Sequence, residues 1–153
     1  MKVELTPDKG TYVLHLRLAI PTQLTIGKLG PFDFPAGGYA YVGSALGSGG
    51  LQGRLNHHLA SVKRPHWHID YLRQAAVVVA IWYVVSPIRY EHVWASALQK
   101  RSDKPVFIPR FGASDCSCTT HLFRFESIPS LEDFAGLFGD DVQIQQHMPF
   151  FVE

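Results

Sequence analysis

The stretch that decides the fold reads GYAYVGSALGSGGLQGRLNHHL and covers residues 38–59. Its first residues have the aromatic and β-branched character of a strand, a glycine-rich turn follows at 47–50, and the remainder has helical spacing. Arg54 and His58 lie one turn apart on the polar side of that helix. Glycine permits close approach of a ligand, and the first helical turn leaves N–H groups unpaired, so this stretch predicts a phosphate site.

The rest of the chain supplies strands and helices that can pack around this stretch. Residues 10–18 alternate as a strand, and residues 75–85 are almost continuously apolar, which indicates a central strand buried on both faces. Ser86-Pro87 opens a predicted helix that runs to about residue 100, and residues 121–125 form a last short strand. The pattern predicts a single domain over residues 1–153, of α/β (α+β) class, with a small, mostly antiparallel central sheet and flanking helices.

Composition excludes several classes of protein. The chain has 153 residues, 46% of them hydrophobic and 18% charged, which suits a globular domain with a proper core. Its net charge of +1 lacks the basic excess of many nucleic-acid binders. Two cysteines one residue apart do not form a disulfide framework. The N-terminus has no apolar signal region and the longest apolar run is too short to span a membrane, so we expect a cytoplasmic protein without a membrane partner.

Five positions in a fixed order carry a resemblance to a known family. The pattern is a Gly-x-Tyr on a first strand, a Tyr-x-Gly on a later strand, an Arg and a His one turn apart on the next helix, and a Glu on the helix after a central strand. Here these elements are Gly10-Thr11-Tyr12, Tyr41-Val42-Gly43, Arg54 with His58, and Glu91. The chain resembles the GIY-YIG nuclease superfamily over about residues 10–100, with residues 101–153 as a C-terminal extension.

Two further segments resemble one branch of that superfamily. HWHIDYL at residues 66–72 and GASDCSCTTHLF at residues 112–123 are similar to a poorly characterised subfamily found as stand-alone proteins or appended to repair enzymes. The resemblance implies a divalent-metal-dependent endonuclease that hydrolyses DNA phosphodiester bonds in repair or processing. Its implied partners are DNA and a DNA-repair protein.

The resemblance also implies a role for each motif residue. Glu91 would hold one Mg²⁺ or Mn²⁺, and the planar fork of Arg54 would clamp a phosphate oxygen. Tyr41 would act as general base or order the water, while Tyr12 and His58 would hydrogen-bond the water or the phosphate. The expected substrate-binding residues are Gly43, Ser44, Lys63, His66 and His68. Asp70 is expected in the same groove, where it could orient a catalytic group.

Each of these residues, taken singly, also has an ordinary structural explanation. Tyrosines in strands usually pack, an Arg such as Arg54 is usually a solvated helix charge, and Glu91 is a common first-turn acid. An alternative function is therefore a catalytically weak GIY-YIG-like module that binds nucleic acid or a protein partner. The near-neutral charge favours this alternative, as does the absence of a clear match for an Asn that active members place after the Glu-bearing helix. The joint order of the motif residues favours the enzyme.

The segment Cys116-Ser-Cys118-Thr-Thr-His121 supports a third interpretation. Cysteine and histidine close together suggest zinc, which takes four nitrogen or sulfur ligands. The spacing is tighter than in usual zinc patterns, and a fourth ligand would have to come from elsewhere in the chain. The alternative is a pair of buried thiols, with Ser114 and Asp115 capping a turn. The sequence therefore leaves open a zinc-stabilised interaction domain.

Overall fold

The computed structural model describes residues 6–60, 64–102, 108–113, 118, 120–127, 129–135 and 145–147. These form a five-stranded antiparallel sheet, a separate two-stranded sheet, and helices on both faces of the larger sheet. In chain order the elements are β1 (Gly10–Leu18), β2 (Thr22–Thr25), β3 (Pro31–Phe34), β4 (Gly37–Ala45), α1 (Gly50–Leu59), α2 (His68–Arg73), β5 (Val77–Val85), α3 (Glu91–Arg101), β6 (Leu122–Phe125), α4 (Leu131–Ala135) and β7 (Gln145–His147). The predicted fold class is confirmed.

β1 is the central strand, in the order β6-β4-β1-β5-β7. Its alternating side chains enter two separate cores, because successive residues of a strand point to opposite faces. Leu14 and Leu16 pack with α1 and α2, whereas Val13 packs with Trp82 and Trp94 on the face that α3 covers. The prediction had given the central place to the apolar strand β5.

β5 lies one position from the edge of the sheet, next to the three-residue strand β7. Its middle is buried, but Val77 and Val85 at its ends are 54% and 43% exposed. The continuous apolar run therefore reflects coverage of its middle by helices on both faces. Within the described part of the chain, β7 pairs with Ile81, Trp82 and Tyr83 in the middle of β5.

β4 and β5 both end at the same edge of the sheet, beside the first residue of β1. Gly10 at the start of β1 pairs with Ala45 on one side and with Val85 on the other. The helices α1 and α3 begin shortly after these strand ends, so their first turns lie at the same edge of the sheet. The sequence therefore brings the glycine-rich turn and the first turn of α3 to the same region.

α3 begins later than its Ser-Pro start signal predicts. The backbone N–H of Ile88 donates to Ser86 Oγ over 3.1 Å, and that of Tyr90 donates to Thr11 Oγ1 over 3.2 Å. These bonds hold the residues after β5 as a turn against β1, and the helix starts at Glu91. Among the described residues, no helix combines the length and the apolar content needed to cross a membrane.

Candidate active site

A cavity of about 600 Å³ opens at the edge where α1 and α3 begin. Three of the predicted catalytic residues line it, namely Tyr41, Arg54 and Glu91. Four of the predicted substrate-binding residues also line it, namely Gly43, Ser44, His66 and His68. Residues from β4, α1, α2 and α3 therefore meet here, as their order in the sequence predicts. Lys63 lies outside the described residues.

Glu91 is held by three polar side chains from other parts of the chain. Ser44 Oγ donates a hydrogen bond to its Oε1, and His121 Nδ1 lies 2.9 Å from its Oε2. Arg89 Nη1 is 3.4 Å from Oε1. Burial alone would raise the pKa of Glu91, but these hydrogen bonds and charges outweigh burial and lower it. The carboxyl group is therefore ionised at neutral pH.

Arg54 stacks on a residue that sequence reasoning did not single out for the site. Its guanidinium carbon lies 4.3 Å from the centre of the Trp67 ring, within the range of a cation–π interaction. Both residues line the cavity. The stack limits the rotamers of a long side chain, so the charged fork is held at the cavity wall before any ligand arrives. The HWHIDYL segment was the available signal for Trp67.

Comparison with known proteins identifies the family of the chain. The family model described as "Domain of unknown function DUF123" matches residues 11–142. The chain belongs to this family. No curated protein and no solved structure matches the chain significantly. The description of the DUF123 family assigns no activity.

Two predicted catalytic residues of this DUF123 chain lie behind the cavity wall. Tyr12 and His58 have relative exposures of 0% and 1%, and the Tyr12 hydroxyl lies 2.7 Å from His58 Nε2. Burial lowers the pKa of His58 to about 3, so the ring is uncharged at neutral pH. Burial also raises the pKa of Tyr12, although the charge and hydrogen bond of Arg54 oppose it. The pair is therefore neutral and buried, and Arg54 hydrogen-bonds Tyr12.

Asp70 is a buried carboxylate beside this pair. Its carboxylate accepts hydrogen bonds from the backbone N–H groups of His66 and Trp67, over 2.8 and 3.0 Å. His58 Nδ1 lies 4.0 Å from Asp70 Oδ1, which is too long for a hydrogen bond, so the carboxylate acts on the ring through its charge. Asp70 is fully buried and does not line the groove, which corrects the sequence-based expectation.

The Asp70→Ala variant is expected to lower the free energy of unfolding by about 3 kcal/mol at pH 7. The change removes the charged acceptor of two part-buried hydrogen bonds, from the backbone N–H groups of His66 and Trp67, and a hydrogen bond to a charged group contributes about 1.5–3 kcal/mol. Urea denaturation measures the difference. Asp33→Ala, at an exposed position of β3, is the matched control and should change the value by less than about 0.5 kcal/mol. Equal effects of the two changes would contradict this role of Asp70.

Gly43 makes room for Tyr12. The two residues are direct partners in the β1–β4 pairing, and a Cβ built on Gly43 would collide with the Tyr12 hydroxyl and ring. The Gly43→Ala variant should therefore displace the Tyr12 ring from His58 and lower the free energy of unfolding by about 2 kcal/mol. Gly47→Ala is the control, because a Cβ there meets no atom within 4 Å. Urea denaturation of both variants tests this, and an unchanged Gly43→Ala protein would refute it.

A short loop at 108–113 closes the cavity beside Tyr41. The backbone N–H of Gly112 donates to His68 Nδ1 over 2.8 Å. Gly112 has φ of 68°, and a Cβ there would lie 2.7 Å from Tyr41 Cε1. Burial lowers the pKa of His68, which suits a ring nitrogen that accepts a hydrogen bond. His68 therefore holds this loop as well as lining the cavity.

Two groups of side chains among the described residues have the spacing of metal ligands. One consists of His57, His58 and Asp70, and the other consists of His92, Cys118 and His121. Cys116, predicted as a zinc ligand, lies outside the described residues. The second group contains the other two residues of that prediction, Cys118 and His121, and adds His92, which sequence reasoning missed because it is 26 residues before Cys118.

Proposed function

We propose that the chain is a divalent-metal-dependent endonuclease that hydrolyses DNA phosphodiester bonds, as its resemblance to GIY-YIG nucleases implies. The observation that carries this proposal is that Arg54, Tyr41 and the ionised Glu91 line one cavity. Phosphodiester hydrolysis needs a cation beside the phosphate, a positioned water and a site for a hard metal ion. These three side chains are of the types that supply these needs. A role in DNA repair, a repair-protein partner and a cytoplasmic location belong to the same proposal.

Glu91 fits the part of the metal ligand. It is ionised, its side chain is 12% exposed, and it faces the cavity. A carboxylate is a ligand that Mg²⁺ and Mn²⁺ accept together with water and substrate oxygens. A bound ion of this kind would polarise the phosphate and lower the pKa of a water. The chain's own contribution is to keep the carboxylate deprotonated through Ser44, His121 and Arg89.

Arg54 and Tyr41 would act on the phosphate and on the water. Arg54 presents a bidentate donor whose position is fixed by Trp67 below it, which suits two oxygens of one phosphate. Burial raises the pKa of Tyr41 well above its ordinary value. Its hydroxyl therefore keeps its proton at neutral pH and is better suited to order the water than to act as the base. Tyr12 and His58 are positioning residues that support Arg54.

The raised pKa of Tyr41 also favours a second candidate function. A cavity with a stacked Arg and a protonated phenol can bind a phosphate without cutting it. In this second candidate the domain holds nucleic acid, with salt-dependent affinity from its phosphate contacts.

Cleavage of a DNA panel tests the proposal. Single-stranded, duplex, flap and branched DNA would be incubated with wild-type protein and Mg²⁺ or Mn²⁺, next to Arg54→Ala. Arg17→Ala is the matched control, since Arg17 is an exposed residue near the other end of β1. We expect metal-dependent cutting in wild type and, at the same rate, in Arg17→Ala. In Arg54→Ala the rate should fall by about 100-fold, where each factor of ten corresponds to 1.36 kcal/mol of lost transition-state stabilisation.

Two outcomes would refute the enzyme. Cutting that is equal in all three proteins would show that the activity does not arise from this cavity. Absence of cutting, with salt-sensitive DNA binding that weakens in Arg54→Ala alone, would support the second candidate.

A further inference from the structure

We propose that His92, Cys118 and His121 form a site for a soft divalent cation of the Zn²⁺ type. We name this group the α3–β6 cluster, since His92 lies in the first turn of α3 and His121 directly precedes β6. One potential ligand atom from each residue lies within 4.8 Å of the others. The proposal rests on this cluster alone and does not depend on the proposed nuclease activity.

The nitrogen and sulfur donor atoms of the cluster favour zinc over Mg²⁺ and Mn²⁺. Imidazole nitrogen and cysteine sulfur are the ligands that zinc takes in proteins, whereas Mg²⁺ and Mn²⁺ prefer carboxylate and water oxygens. Ligand atoms about 2.0–2.3 Å from a tetrahedral zinc lie roughly 3.3–3.8 Å apart. The donor atoms of the cluster lie within 4.8 Å of one another, so binding an ion requires them to approach by at most about 1.5 Å. The α3–β6 cluster is thus chemically distinct from the hard-ion role proposed for Glu91.

Glu91 contacts one of the proposed ligands of the cluster without being a ligand itself. Its Oε2 lies 2.9 Å from His121 Nδ1, so the carboxylate fixes the orientation of that ring. Ligating histidines in proteins usually contact a carboxylate or a carbonyl in this way, which raises the basicity of the ring. His92 directly follows Glu91, and the rings of His92 and His121 are 6.1 Å apart. Glu91 therefore lines the cavity and also contacts the cluster through His121.

The backbone around the cluster is held in place before any ion binds. The N–H of His121 donates to the carbonyl of Phe111 over 2.8 Å, and the carbonyl of His121 accepts from Val42 over 3.0 Å. Arg110 Nη1 donates to the carbonyl of Cys118 over 3.1 Å. His121 is thus fixed to the sheet, and Cys118 is fixed to the loop that closes the cavity. A site whose ligands are already positioned loses less entropy on binding an ion.

The burial of the three ligands shows how an ion would enter. His121 is buried, Cys118 is half-buried, and His92 is exposed and lines the cavity. Three protein ligands beside a cavity leave a fourth position for water or another group. An ion there would also tie the start of α3 to the segment before β6.

The other candidate group is less suited to zinc. In the group of His57, His58 and Asp70, His58 Nε2 bonds the Tyr12 hydroxyl and Asp70 accepts from two backbone N–H groups. An ion at that position would compete with these buried bonds. This difference assigns the zinc to the α3–β6 cluster and makes His57 the natural control position.

Metal analysis of the purified protein tests the proposal. Wild type, His92→Ala, Cys118→Ser and His57→Ala would each be equilibrated with Zn²⁺, dialysed against metal-free buffer and analysed by mass spectrometry. We expect about one zinc per chain in wild type and in His57→Ala, and less than about a tenth of that in the other two variants. His92 and His57 are both exposed, and His57 Nε2 also lies 3.3 Å from the Asp70 carboxylate, so circular dichroism would verify that each variant is folded.

Cobalt gives a second readout that does not depend on any variant. Co²⁺ bound to wild type by the α3–β6 cluster should show the near-ultraviolet charge-transfer band of a cobalt–thiolate bond. Wild type that retains no zinc, or zinc that is retained in both His92→Ala and Cys118→Ser, would overturn the proposal. Loss of zinc in His57→Ala alone would also overturn it and would assign the ion to the other group. Since all readouts measure metal binding, a failed nuclease assay would leave this result unaffected.

Discussion

Glu91→Gln protein is expected to lose about 1000-fold of its metal-dependent DNA cleavage while still binding DNA. Glutamine keeps the shape of the side chain and can still accept the hydrogen bond from Ser44. It removes the negative charge that a Mg²⁺ or Mn²⁺ ion needs, and such an ion stabilises the transition state by several kcal/mol. Each 1.36 kcal/mol corresponds to tenfold in rate, so a loss of about 4 kcal/mol gives this factor.

Cleavage rates at saturating metal, with DNA affinity measured in parallel, check this prediction. Glu132→Gln, at an exposed acidic position in the first turn of α4, is the matched control and should cut like wild type. A Glu91→Gln protein that cuts at the wild-type rate would show that the ion is held elsewhere. A protein that cuts normally only at higher metal concentration would show that Glu91 contributes affinity for the ion and not chemistry.

Lowering the pH from 7 to 5 is expected to reduce the free energy of unfolding by about 4 kcal/mol. Burial lowers the pKa of both His15 and His58 to about 3, whereas an unfolded histidine has a pKa near 6.5. At a pH between these two pKa values, the His15 and His58 rings are protonated in the unfolded chain and neutral in the folded chain. Burial also lowers the pKa of His68, which adds to the loss in the same direction. Stability is therefore full above about pH 6.5 and falls by about 1.4 kcal/mol per pH unit for each histidine.

The lowered pKa values of Asp70 and Glu91 act in a different range of pH. Their contribution is present above the ordinary pKa of a carboxyl group and is lost as the pH falls through the folded-state value, so it does not enter between pH 7 and 5. Urea denaturation at the two pH values measures the histidine effect without these groups.

His15→Phe separates the two histidines. The His15 ring packs 4.0 Å from the Trp82 ring, and neither of its nitrogens has a hydrogen-bond partner within the described part of the chain. Phenylalanine keeps the ring contact and removes the titration, so the loss between pH 7 and 5 should become smaller by about 2 kcal/mol. His66→Ala, at an exposed position, should leave the loss unchanged. An undiminished pH dependence in His15→Phe would contradict the prediction.

Local patterns in the sequence predicted the elements that depend on local properties. The alternation from Gly10 to Leu18 matches β1 at both ends, and the apolar stripe after the glycine turn matches α1 within a few residues at its end. Gly30-Pro31 has the composition of a turn, but Pro31 is the first residue of β3, a position of an edge strand at which proline is tolerated. β3 pairs with β2 in the separate two-stranded sheet.

The candidate site was predictable to the extent that motif order specifies it. Arg54, Tyr41, Ser44 and Glu91 line one cavity, as their order predicts. The burial of Tyr12 and His58 was not predictable, because a polar residue on a strand or helix can face either core or cavity. The contact of Glu91 with His121 joins residues 30 positions apart in the sequence and has no local signal.

The position of Trp67 makes its intrinsic fluorescence a probe of the cavity. The chain has three tryptophans, and Trp82 and Trp94 are 1% and 0% exposed on the opposite face of the sheet. Trp67 alone of the three lines the cavity, with the Arg54 cation against its ring. A collisional quencher in solution should therefore reduce the fluorescence of Trp67 and leave that of Trp82 and Trp94 unchanged. A phosphate that draws the guanidinium away from the ring should change the emission of that same indole, so ligand occupancy can be followed without a label.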